Sequence, residues 1–364
     1  MARTQYERIT TKQTLNRVKE ERMPFDWSIN PYRGCGHGCS FCYARAFQSF
    51  IGMGAEDEFQ HHIFMKSNAA EALEKQLSSA ARKFDHDIEA MRRSIGQVTI
   101  GTATDPYQPI ESKEGITREC LKLLAKYRIS TSITTRSPLV LRDMDILTRM
   151  ENVSVNMSLN TLNGDIIRKL EPASPHPEGR LDTIHRLSAA GIRTGLFVAP
   201  VLPFLTDKEW ELRELLSQAK VRGVSFAMIS LLRLSRDVKK WYIETLKHQF
   251  PEVVQPYREL YAQGAYAEEH YVRSFKSMAA RLLNECELNG LTPGASAAGV
   301  SRPGTIGSGI SQEDGAQVEG ARDHLRSAED LAAVSVQPRK LPQPAAPVSG
   351  EELVPDVEQL SFPF

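Results

Sequence analysis

The chain has 364 residues, 41% of them hydrophobic and 25% charged, and its 45 Lys+Arg are balanced by 45 Asp+Glu. This is the composition of a folded globular protein with room for one large or two medium domains, and it excludes a collagen-like or wholly disordered chain. A net charge of zero provides no overall basic field for nucleic acid, although a local groove can still be basic. No 18-residue apolar run is present to span a bilayer.

Residues 1–24 mix acidic and basic side chains and read as an N-terminal arm or short helix. Their start lacks the apolar run of a signal peptide, and five cysteines with three of them clustered suit a reducing cytoplasm, so a cytoplasmic protein without membrane contact is expected. Phe25 to Asn30 alternates as a strand and leads into Asn30–Arg45, a loop that places Cys35, Cys39 and Cys42 as C-x3-C-x2-C among Gly34, Gly36 and Gly38. Residues 66–93 carry a helical stripe (Leu73, Leu77, Ala81, Phe84, Ile88), one long or broken helix.

From there strand and helix patterns alternate. Residues 97–101 form a strand ending in Thr102–Tyr107, and 117–127 a helix. Strands follow at 129–135, 153–159, 192–199 and 224–232, with helices at 143–150, 180–190 (closed by Gly191), 207–222, 237–248 and 267–289. Counting 27–30, six strands each precede a helix, and such alternation requires a parallel sheet. The fold class is α/β, with a barrel over 25–235, a helical cap over 236–290 and, from 291, a Pro/Gly/Ala/Ser-rich tail expected to be disordered. Six units are too few for an eight-fold barrel.

In barrel-like βα folds the chemistry collects at the C-terminal ends of the strands, and the cysteine loop follows the first strand. Three thiolates leave one iron of a [4Fe–4S] cluster open for another ligand. The alternative is a structural zinc knot with His37 or a remote histidine as fourth ligand, in a binding module without turnover. Zinc motifs usually arrive as two close pairs, whereas Cys120 and Cys286 are isolated. The other strand ends offer Thr104 and Asp105, a carbonyl and carboxylate for an ammonium group or an Asx-type turn. Arg136 can grip a carboxylate or form a surface ion pair. Ser158 and Asn160 share one face and suit ribose hydroxyls or a helix cap. Val198 and Ala199 provide an apolar wall for a base, and Phe41 can pack on the same ring. Glu171 and Arg180 are an ion pair at the rim or a substrate contact, and His61-His62 a solvated loop pair.

The cysteine loop is the signature of the radical S-adenosylmethionine superfamily. Trp27–Cys35, Thr104-Asp105-Pro106-Tyr107-Gln108-Pro109-Ile110-Glu111, Glu171-Pro172 with Arg180, and Val198–Pro203 resemble the spore photoproduct lyase family over residues 25–250, among members of undefined substrate. The resemblance implies a partial (β/α)6 barrel in which Cys35, Cys39 and Cys42 hold a [4Fe–4S] cluster. It implies S-adenosyl-L-methionine on the open iron, cradled by Phe41, Tyr43, Thr104, Asp105, Arg136, Ser158, Asn160 and Ala199. It further implies a 5′-deoxyadenosyl radical, an electron donor such as flavodoxin or ferredoxin, and nucleic acid or a nucleotide among the substrate classes. One departure concerns the lyase's hydrogen-donating cysteine, two positions before the Ser/Thr-Asp pair: Thr102 stands there, which leaves Tyr107 or Cys120 as donor or a different reaction. The last six residues, Gln359–Phe364, resemble C-terminal peptides by which bacterial repair proteins dock on the sliding clamp.

Overall fold

The structure is a computed structural model that describes residues 4–19 and 23–289. The tail and its terminal hexapeptide lie outside the described residues. Ten strands appear in chain order: β1 Gln5–Ile9, β2 Asn16–Arg17, β3 Trp27–Ile29, β4 Tyr32–Arg33, β5 His62–Lys66, β6 Gln97–Ile100, β7 Ser130–Thr135, β8 Val153–Ser158, β9 Arg193–Val201 and β10 Phe226–Leu231.

Seven of them form one sheet in the order β10-β9-β8-β7-β6-β3-β2. From β3 to β10 every pairing is parallel, and only β2 runs antiparallel, against β3. This is the parallel sheet the alternation requires, and its six parallel strands are those of the partial barrel the resemblance implies. A second sheet, β1-β5-β4, lies beside the cysteine loop.

Side-chain alternation sorts the two faces of the main sheet. On β8, Val155 and Met157 enter the apolar cores under the helices, whereas Ser154 and Asn156 turn to the other face. There Asn156 Nδ2 donates to Ser132 Oγ on β7 at 2.8 Å, so neighbouring strands share a polar interior face. Helices cover the apolar face with stripes such as Leu73, Leu77 and Ala81 on Ala69–Lys83. A separate core beneath the mouth joins Phe41, Leu170, Leu202, Tyr242 and Tyr257, tying the helices Arg236–Gln249 and Val254–Leu260 to the cysteine loop.

Some expectations need correction. The N-terminal arm is no helix: β1 pairs in parallel with β5, and β2 edges the main sheet. The 66–93 stripe, by contrast, takes the broken form of the two expected, as Ala69–Lys83 and Ile88–Ile95 separated where Asp85 and His86 take positive φ. His61-His62 is not a loop pair. His62 opens β5, stacks on Phe64 at 4.5 Å and places Nε2 2.8 Å from Glu7. The sequence reading also overlooked β5, the 3-10 helix Tyr43–Ile51 and the helix Gly164–Leu170.

Candidate active site

The cysteine loop runs from β4 into the helix Tyr43–Ile51, and many main-chain groups along it are braced. Cys35 N donates to Phe59 O at 3.0 Å, and Ser40 N to Leu170 O at 2.9 Å. Thr104 Oγ1 donates to Gly34 O at 2.7 Å, and Gln108 Oε1 accepts from Gly36 N at 2.9 Å. Arg45 donates from Nε to Cys39 O at 2.7 Å and from Nη2 to Gly38 O at 2.9 Å. Glycine is required at two points. Gly34 and Gly38 have φ of +78° and +68°, and a Cβ on Gly34 would stand 2.8 Å from the carbonyl oxygens of His62 and Phe59.

All three thiols are free, and Cys35 and Cys39 are buried. Burial, with Asp105 and Cys42 adding to it, pushes the Cys35 thiol up to about 12. Cys39 and Cys42 are also raised by burial, against the pull of Arg136 and Arg45 respectively. A thiol raised in this way is protonated near neutral pH, and a metal that binds it displaces the proton. A zinc ion needs each sulfur about 2.3 Å from one point. Among the described residues no three His, Cys, Asp or Glu side chains stand close enough for a single ion.

Around the thiols lies a buried charge network. Asp105 Oδ1 accepts from Thr135 Oγ1 at 2.7 Å and from Tyr107 N at 2.9 Å, and Oδ2 accepts from Arg136 N at 2.9 Å. His37 gives Nδ1–H to Ala173 O at 3.1 Å, which leaves Nε2 3.4 Å from Asp105 Oδ2. Burial would raise the Asp105 carboxyl, but His37, Arg136 and Thr135 hold it down at about 2. Arg136 Nη1 lies 2.6 Å from Cys39 Sγ and 3.1 Å from Glu171 Oε2. Arg180, fully buried, gives Nη2 to Glu171 at 2.7 Å and Nη1 to Ser158 O at 3.0 Å. Burial alone would raise Glu171 too, and the two arginines keep it below the usual carboxylate range.

The structure therefore gathers Cys35, Cys39, Cys42, Thr104, Asp105 and Arg136 at the ends of β3, β6 and β7. The Tyr43 hydroxyl donates to Thr102 O at the same rim. Ser158, Asn160 and Ala199 end β8 and β9 farther round the mouth. Asn160 Nδ2 donates to Pro200 O at 3.2 Å, and its buried Oδ1 has no protein partner. Phe41 is buried and turns its ring edge-on to Tyr242 at 6.5 Å, in the core beneath the cap. Neither alternative hydrogen donor reaches this rim. Tyr107, fully buried, gives its hydroxyl to Asp143 at 2.9 Å, and Cys120 is a core residue among Leu121 and Leu124. Sequence reasoning missed Arg45, Gln60 and Gln108 as braces, and only the Cys-Tyr-Ala-Arg spacing pointed toward Arg45.

Residues 29–216 match the Radical SAM superfamily. An uncharacterized protein of Mycobacterium tuberculosis is 31% identical over 289 residues, which cover 78% of this chain and 82% of that protein. The chain belongs to the radical SAM superfamily. Members of this superfamily use a [4Fe–4S] cluster and S-adenosylmethionine. Spore photoproduct lyase with bound AdoMet and dinucleoside spore photoproduct matches with a TM-score of 0.57 at 15% identity, covering 77% of this chain and 79% of the lyase. The fold is thus that of the lyase, with the radical SAM loop at its mouth. A radical SAM Nα-GlyT isomerase of Pseudomonas phage M6 is 24% identical over 237 residues, 64% of this chain and 45% of that protein. Three free thiols on one loop are of the ligand type that iron–sulfur clusters take. No helix among the described residues is long and apolar enough to cross a membrane.

Proposed function

We propose that this chain binds a [4Fe–4S] cluster through Cys35, Cys39 and Cys42 and cleaves S-adenosylmethionine reductively to act on a substrate with nucleic-acid character, in the cytoplasm. The observation that carries the reading is the set of three free thiols on a loop locked at the C-terminal ends of a parallel sheet. When bound, the cluster and cosubstrate supply a 5′-deoxyadenosyl radical. The protein's part is to bind, orient and shield.

Arg136, already between a thiol and two carboxylates, provides a guanidinium for the carboxylate of the methionine moiety. Thr104 and Asp105 act from beneath, holding the loop and fixing Arg136 through its main chain. The unpartnered Asn160 Oδ1 is an acceptor for a hydroxyl of the cosubstrate, beside Ser158. Ala199 and Tyr43 flank the opening, and the helices from Arg236 onward keep water from the thiols through the core around Phe41. An electron donor such as flavodoxin or ferredoxin supplies the reducing equivalent. Nucleic acid as substrate is supported by the dinucleoside spore photoproduct bound in the lyase of the same fold.

Single Cys→Ala variants test the reading. After anaerobic reconstitution, Cys35→Ala, Cys39→Ala and Cys42→Ala should lose most of their iron, and Cys120→Ala and Cys286→Ala should retain it. Equal iron in all five would contradict it. Oligonucleotides should accelerate 5′-deoxyadenosine formation by the wild type, and no response to DNA or RNA would remove the nucleic-acid part alone.

A further inference from the structure

Arg45 is among the largest fully buried side chains in the protein. Its guanidinium donates to Cys39 O, Gly38 O, Ala55 O at 3.0 Å, Glu56 O at 2.7 Å and Gln60 Oε1 at 2.8 Å. The rings of Phe59 and Trp241 lie 5.0 and 5.2 Å from its centre. Every acceptor is a neutral oxygen. Burying an unpaired charge is costly, and buried arginines are normally matched by a carboxylate. Among the described residues no carboxylate pairs with Arg45. The guanidinium instead grips the thiol loop itself, through Cys39 O and Gly38 O, and the sulfurs of that loop become negative only when a metal displaces their protons.

The other cations near the thiols are already matched. Arg136 faces Glu171 and Asp105, Arg180 faces Glu171, and the His37 ring also faces Asp105. Of these three buried guanidinium groups, Arg45 alone has no carboxylate partner among the described residues. Three thiolates outweigh the positive core of an iron–sulfur cluster, and each added electron makes the assembly more negative. Reduction potential depends on net charge and on hydrogen bonding around the sulfurs.

We infer that Arg45 is the resident counter-ion of the cluster, a positioning residue whose buried positive charge holds the reduced state within reach of a physiological one-electron donor. This rests on the cluster reading above. A purely mechanical brace would need the five-donor fork, whereas a counter-ion needs only the charge.

R45K keeps the charge and loses the fork, and R45Q loses both. The full chain and both variants are reconstituted anaerobically, analysed for iron and titrated by EPR-monitored reduction. R45K should retain the wild-type iron content and potential. R45Q should hold less iron, or require a potential lower by at least about 59 mV, a tenfold drop in the reduced-to-oxidised ratio for one electron. If both variants behave like the wild type, or both lose iron or shift equally, Arg45 is not the counter-ion. A wild-type protein that takes up no cluster would instead overturn the reading beneath this inference.

Discussion

Asp105 shows how a residue with an obvious functional reading also acts as a structural anchor. All of its described partners belong to the protein: the Thr135 hydroxyl, the main-chain N–H groups of Tyr107 and Arg136, and the His37 ring. Its carboxyl falls from the ordinary 3.8 to about 2 on folding. A depressed folded-state value adds stability that is complete above about pH 4 and disappears as the pH falls toward 2. Urea melts of the metal-free protein should therefore weaken between pH 4 and 2, and Asp105→Asn should flatten that part of the profile. An unchanged slope in the variant would place the acid sensitivity elsewhere. At this scale the sequence was partly legible. Thr104, Asp105 and Arg136 follow recognisable strands, so their place at the rim can be read from order alone. Arg45, Gln60 and Gln108 cannot be read that way, because their role lies in which carbonyl or amide of a distant loop each one meets.

At the scale of elements, the six parallel strands are legible because β-branched and apolar residues alternate or run together between turn residues. β1 is not, since it is exposed along nearly its whole length and so carries no contrast between faces. β5 was hidden for the opposite reason: Ile63, Phe64, Met65 and Lys66 are all buried, and a short unbroken run has no period. The cysteine loop is the element on which function depends, and its glycines separate two demands. Gly34→Ala forces a Cβ against two main-chain oxygens at a positive φ. It should cost about 1–3 kcal/mol and most of the cluster occupancy. In Gly36→Ala the new Cβ finds only ordinary contacts, with Pro109 at 3.5 Å and the Gln108 amide at 3.6 Å. That variant should fold and bind iron normally. Equal iron content in the two would show that loop geometry does not limit assembly.

At the scale of the whole molecule, the parallel array delivers one charged or polar group after another to a single rim, and the cap core around Phe41, Tyr242 and Tyr257 closes over the loop. A chain of zero net charge thus holds a concentrated charge network at the mouth, where Arg136, Arg180 and Glu171 pair under burial, while many further ion pairs such as Arg168–Asp165 and Arg273–Glu269 lie exposed on the surface. At this rim Thr102 Oγ1 accepts from Asn30 Nδ2, and Tyr107 and Cys120 are turned into the core.

The most direct measurement is anaerobic reconstitution followed by reduction in the presence of S-adenosylmethionine, with EPR and chromatography on the same sample. A protein of this kind should carry about four irons per chain. Its EPR signal should change when the cosubstrate is added, and 5′-deoxyadenosine should form. A colourless protein that retains one zinc and produces no 5′-deoxyadenosine would contradict the account.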